Sequence, residues 1–196
     1  MKRKLGNILV LCLAIAVLYG MQRSKPHYMD LTGPMPVHGK MHEPVRTRQF
    51  DVTVDNVVFA RELTLDRFGA TKVLTTSGLW VVVTAQLAAT NASNTVAQAS
   101  WVGPTGLQYD SSDRAGYLPG LPPHSLNPGL PKTARFIFET LPDQVNGATF
   151  VVSNQLFPRL DSQARIAIDD FRKFNDGQPL IVDSFDLRNS ATVSGN

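Results

Sequence analysis

The run Leu79-Trp80-Val81-Val82-Val83 has no polar residue on either side of its alternation. Successive side chains of a strand point to opposite faces, so such a run must be covered twice over, and it predicts a central strand. The strand continues through Ala85-Gln86-Leu87-Ala88-Ala89 and ends at Asn91-Ala92-Ser93-Asn94, a turn sequence. Before it, Phe50, Val52 and Val54 alternate with Asp51, Thr53 and Asp55, the pattern of a half-buried strand. After it come Thr95 to Trp101, Gly106 to Tyr109, Thr133 to Glu139, Thr149 to Ser153, Ala164 to Ile168 and Leu180 to Phe185. These make about eight short strands with Asn-, Gly- and Pro-rich turns between them and no sustained helical period. Single helical turns are expected near Leu141–Val145 or Asp170–Phe174. With 43% hydrophobic and 18% charged residues over 196 positions, a packed core is expected and wholesale disorder is not.

The pattern predicts an all-β fold, an immunoglobulin-like antiparallel β-sandwich. Cys12 is the lone cysteine, so the central tryptophan of the sandwich packs without a disulfide. Trp80 is expected in that position, with Trp101 second.

The N-terminus predicts where the chain resides. Lys2-Arg3-Lys4 precedes a mostly apolar stretch from Leu5 to Met21, which rises about 25 Å as a helix. The exit Leu18-Tyr19-Gly20 lacks the small residue at −3 that signal cleavage needs. The expectation is therefore an uncleaved signal anchor, a transmembrane helix over residues 1–21, with a cleaved signal peptide as the alternative. Both put the body of the chain on the extracytoplasmic, periplasmic side of the inner membrane. Cys12 is then an inert apolar side chain. Residues 22–48, with Pro26, Pro34, Pro36 and Pro44, are expected as an extended tether. The sandwich is expected over 49–190 and a polar tail over 191–196.

Charge sets limits on partners. Residues 1–48 carry eight Lys and Arg against two carboxylates, and residues 49–196 carry eleven against fourteen. The folded part is mildly acidic, so no nucleic-acid partner is expected.

Three segments carry a family resemblance: Gly78-Leu79-Trp80-Val81-Val82-Val83-Thr84-Ala85-Gln86-Leu87, Ala89-Thr90-Asn91, and Trp101-Val102-Gly103-Pro104-Thr105-Gly106-Leu107-Gln108-Tyr109. A later Pro-Gly pair before Phe136-Ile137-Phe138-Glu139 completes the pattern. It resembles a bacterial extracytoplasmic immunoglobulin-like domain of unknown function, of the type found in envelope lipoproteins and secreted antigens. The likeness covers about residues 50–155 and implies a β-sandwich at the cell envelope. It implies no catalytic residue.

Candidate chemistry is sparse. His124 and Ser125 are adjacent in a Pro-rich loop, where neighbouring side chains diverge and no triad is fixed. Asp110-Ser111-Ser112-Asp113 lacks the Gly and terminal Glu of a calcium loop and reads as an Asx turn, while Asp169/Asp170 is a second carboxylate pair. No catalytic residue and no cofactor are expected. Met29, Met35, His38, Met41 and His42 combine thioether and imidazole, which suits copper, especially Cu(I), and gives the alternative of a metal- or small-ligand-binding module.

The loop from Ser111 to Pro131 is the expected partner surface. Its prolines pre-order the chain, and Tyr117, Leu118, Leu121, Leu126 and Leu130 are distributed through it. These side chains either meet a partner or plug one end of the sandwich. The function expected is a non-enzymatic, membrane-anchored protein acting through protein–protein contact in the envelope, as an accessory subunit of an assembly.

Overall fold

The computed structural model describes residues 2–24, 33–67, 69–116, 118–154, 162–168 and 180–188. The chain divides into two units, Met1–Gly33 and Pro34–Asn196. The first contains helix α1 (Lys2–Arg23). Among the described residues no helix is long and apolar enough to cross a membrane. The transmembrane helix expected over residues 1–21 is thereby corrected, and the reason is physical. Lys2, Arg3, Lys4 and Asn7 occupy the first turns, and the unbroken apolar run is Ile8–Leu18. That run rises about 17 Å against about 30 Å of hydrocarbon.

The second unit is a β-sandwich. Its strands are β1 (Met35–Lys40), β2 (Val45–Arg46), β3 (Phe50–Arg67), β4 (Ala70–Ala89), β5 (Asn94–Val96), β6 (Gln98–Val102), β7 (Gln108–Asp110), β8 (His124–Leu126), β9 (Lys132–Thr140), β10 (Thr149–Ser153), β11 (Ser162–Ala167) and β12 (Ile181–Asp186). One sheet has the order β1-β11-β10-β6-β7 and the other β12-β3-β4-β9, with β2 also on β3. β5 and β8 form a small ribbon of their own. The expected strands are found, except that the one expected over Thr95 to Trp101 is divided between β5 and β6, which lie in different sheets; a 3-10 turn at Pro142–Gln144 occupies the expected Leu141–Val145 position. The Asp170–Phe174 turn lies outside the described residues.

Two expectations are corrected. The sheets are not wholly antiparallel, because β1 pairs with β11 and β12 with β3 in parallel. Nor is 22–48 a tether throughout, since β1 and β2 belong to the sandwich and Met41 is in its core. Proline is tolerated in β1 because β1 is an edge strand. Gly39 is needed there, as a Cβ at this position would lie 2.2 Å from Cγ2 of Val45.

Alternation along β3 and β4 places the core. Phe50, Val52 and Val54 face the other sheet, a bulge follows Val54, and Val57 and Phe59 resume the same face. Opposite them, Leu79, Val81, Val83, Ala85 and Leu87 turn inward from β4. From the facing sheet come Trp101, Phe150, Val152 and Ile166. Trp101 stands edge-on to Phe59 at 6.0 Å between ring centroids, and Phe138 lies 6.2 Å away.

The outward face of β4 is apolar too, and it builds a second core of Leu63, Leu65, Leu74, Trp80, Val82 and Ile137. The central tryptophan is therefore Trp101, and Trp80 is buried on the opposite side of its sheet. The central run is covered on both faces as its sequence predicts, but its alternation alone does not say which face meets the other sheet.

Candidate functional site

The proline-rich loop supplies the roof of the second core. Ala115 is buried there, and Leu118 and Leu121 pack partly buried against the cluster. Arg114 stacks its guanidinium over Trp80 at 5.1 Å, donates from Nη1 to Glu139 Oε2 at 2.6 Å and from Nη2 to the Thr75 carbonyl at 3.1 Å. The loop also covers the free edge of β9. Ser112 N donates to the Ile137 carbonyl and Arg135 N to the Gly120 carbonyl, both at 2.7 Å. An edge covered in this way offers no template for another strand.

The five expected partner residues accordingly separate. Leu126 lies in the inner core, Leu118 and Leu121 pack from the roof onto the second core, and Tyr117 lies outside the described residues. As a contact set they are corrected. Only Leu130 is open among the four that are described, at 64% exposure.

The metal set disperses as well. Met35 is 62% exposed and Met41 8% exposed, His38 alternates with Met35 along β1, and His42 is exposed in the left-handed region at φ 64°. Met29 lies outside the described residues. Among the described residues no group of three or more His, Cys, Asp or Glu is placed to hold a metal ion. A thioether inside an apolar core cannot share an ion with an exposed one on a strand face, so Met41 and Met35 do not act as one ligand pair.

His124 and Ser125 follow strand alternation, with His124 fully buried and Ser125 exposed. His124 Nε2 is 3.3 Å from the Arg135 carbonyl, its ring meets Phe136 edge-on at 5.0 Å, and Nδ1 is buried without a partner. Burial pushes its pKa down to about 4, and the nearby Lys132 pushes the same way. It is a neutral core residue, not a base. Asp110 accepts from Ser100 Oγ at 2.7 Å and from Gln108 Nε2 at 3.2 Å, so it belongs to a side-chain network on β6 and β7. Asp169 and Asp170 lie outside the described residues.

Leu130 points to a site at one end of the sandwich. Its turn is closed by Leu130 N donating to the Asn127 carbonyl at 3.2 Å, and Ser93 Oγ donates to Asn127 Oδ1 at 2.8 Å. The 90–94 turn is in turn tied to the 47–50 corner. Thr90 Oγ1 donates to the Arg48 carbonyl at 2.8 Å, and Thr90 N and Asn94 Nδ2 both donate to the Gln49 carbonyl, at 3.1 and 2.6 Å. Asn154 Nδ2 donates to Gln49 Oε1, and Arg48 N donates to Ser162 Oγ at 3.3 Å. Residues 48–49 and 90–94 line a cleft of about 430 Å³. Its lining sets the amides of Gln49, Asn91 and Asn94, the hydroxyls of Thr90 and Ser93 and the Arg48 guanidinium in a largely apolar surface, and Asn94 Oδ1 is a buried acceptor with no partner. Such a wall hydrogen-bonds polar ligands, the peptide backbone among them, and holds no nucleophile–base pair. Sequence reasoning marked 91–94 as a turn but missed Gln49 and Asn154, whose roles depend on contacts across 45 and 105 residues.

No family model matches the chain, and no curated protein matches it. Among solved structures it is similar to the yjhA protein from Bacillus subtilis, with a TM-score of 0.51 and 11% identity over 67% of this chain and 99% of that one. It is also similar to an uncharacterized β-sandwich protein from Clostridium difficile 630, with a TM-score of 0.43 and 13% identity over 73% and 97%. At 11% identity the Bacillus likeness speaks for the fold alone: this chain is a β-sandwich.

Proposed function

We propose that the chain is a non-enzymatic, extracytoplasmic binding module of immunoglobulin-like type, which contacts a protein partner through the 47–50, 90–94 and 127–130 end of the sandwich. The observation that carries the reading is the juxtaposition of an exposed Leu130 turn and an amide-lined cleft with an unpartnered acceptor. An apolar contact beside fixed polar groups is how binding loops on a rigid scaffold achieve specificity. Three cations followed by an eleven-residue apolar run support export of the chain, since an apolar core of about 7–15 residues is the length of a secretion signal. The family resemblance noted in the sequence favours the same compartment. The test is capture of envelope proteins by the full chain and by its Leu130→Ser variant, with a thermal melt of each. The reading expects an unchanged melt with loss of the captured partner. Capture that survives the substitution in a folded protein refutes it.

A further inference from the structure

The two edges of the β12-β3-β4-β9 sheet are treated differently. The β9 edge is covered by the proline-rich loop, as described above. The β12 edge is not: among the described residues no strand or loop pairs with its far side. Leu187 N donates to the Thr64 carbonyl at 2.9 Å, and the Phe185 carbonyl accepts from Thr64 Oγ1 at 3.4 Å. Phe185 and Leu187 thus turn their main-chain groups toward β3, and the intervening Ser184 and Asp186 turn theirs away. Phe185 and Leu187 also pack on the second core, so the strand is held in place without its outer edge being used.

The side chains along this edge are of two kinds. Leu180 is 58% exposed at the start of the strand. Asp183 has a side chain 98% exposed, with Arg61 3.6 Å away as its partner. Asp183 and Arg61 are the residues missing from the register where β3 is irregular, so the carboxylate stands out from the ladder. Glu62 is exposed on the neighbouring strand. Arg188 already holds Asp186, donating from Nη2 at 2.6 Å and from Nε at 2.9 Å, so the charge displayed at this edge is that of Asp183 with Glu62 beside it. A second copy of β12 laid along the edge brings two Asp183 carboxylates onto one short ribbon, and like charges placed across a strand pair repel. The same arrangement favours a strand carrying lysine or arginine between apolar residues.

We propose that the free edge of β12 accepts an extended basic-apolar segment of a partner protein as an additional strand. The main-chain groups of Ser184 and Asp186 supply the hydrogen bonds, Asp183 selects a cation, and Leu180 meets an apolar neighbour. The inference rests on the reading of the chain as a binding module, but it uses a surface separate from the Leu130 end.

The test is hydrogen exchange on the full chain with a short capped peptide of alternating valine and lysine, and with the same peptide carrying glutamate for lysine. The lysine peptide at millimolar concentration is expected to slow exchange of the Ser184 and Asp186 amides about tenfold, and the glutamate peptide to leave them unchanged. Ser184→Pro removes only an outward-facing donor, which an edge strand tolerates, so it is expected to melt like the parent and lose the protection. Asp183→Lys is expected to reverse the preference between the two peptides, and it serves if Ser184→Pro does not fold. Absence of slowing with either peptide, equal slowing by both, or self-association through β12 without peptide overturns the proposal. Failure here with Leu130-dependent capture intact rejects the β12 site alone. Slowing by the lysine peptide without that capture rejects the loop-end reading and keeps this one.

Discussion

Trp80 and Trp101 are both fully buried, yet the sheet that carries Trp80 stands between their two cores. Trp101 donates from Nε1 to the Gln144 carbonyl at 3.0 Å within the inner core, and Trp80 donates to the Leu74 carbonyl at 3.1 Å within the outer one. Substituting either by alanine leaves a cavity and costs about 3–5 kcal/mol, but the local effects differ. Trp101→Ala is expected to loosen the sandwich as a whole. Trp80→Ala is expected to release the 111–121 roof first, read as faster exchange of the Ser112 amide, whose acceptor is the Ile137 carbonyl. A Trp80→Ala protein that melts within a degree or two of the parent removes the outer core from the account.

This pair also shows what could be read from the sequence. The apolar run at 79–83 announces a stretch buried on both faces, and β4 is so buried over those five residues. The alternation of Phe50, Val52 and Val54 gave the inner face of β3 only as far as the bulge after Val54, because one inserted residue exchanges the faces. β1 was hidden by Pro36 and Gly39, and its pairing with Ser162–Ala167 is settled by residues more than a hundred positions away. At the candidate site, the Asn-rich turn and Leu130 were visible, whereas the cleft requires the 48–49 corner, held by Asn154, to be brought against that turn by the fold.

Acid is expected to destabilise the domain through His124. Its folded-state pKa of about 4 lies below the ordinary value of 6.5, so the unfolded chain binds the proton more readily. The stability that depends on a neutral imidazole is present above pH 6.5 and is lost as the pH falls toward 4. The full shift corresponds to about 3 kcal/mol. Denaturant unfolding of the parent and of His124→Phe across this interval checks it. The variant should lack the part of the decline that belongs to this residue, and parallel curves contradict the assignment.

Leu126 and Leu130 are separated by one turn and should behave as opposites. Leu126→Ser places a hydroxyl in the inner core and is expected to cost about 2–5 kcal/mol. Leu130→Ser, at an exposed position, should shift the melt by no more than the usual surface effect of about 0.5 kcal/mol. Equal losses at both sites mean that the 127–131 turn is part of the plug.

Gly78→Ala and Gly39→Ala offer a graded test of close approach. A Cβ at 78 would lie 2.2 Å from the carbonyl oxygen of Thr140, a main-chain atom of the paired β9, while at 39 the obstacle is the side chain of Val45. Gly78→Ala is expected to cost about 1–3 kcal/mol and Gly39→Ala less, because a side chain can turn aside and a ladder cannot. Thermal melts of the two variants rank them directly.

The parallel pairing of β12 with β3 sets the order in which this chain can be completed. Thr64 meets Phe185 across 121 residues, and β1 likewise waits for β11. A ribosome that has delivered the first two-thirds of the domain has made strands whose partners do not yet exist, and closing such long loops is slow. Neither sheet is complete until these late strands, β11 and β12, have emerged.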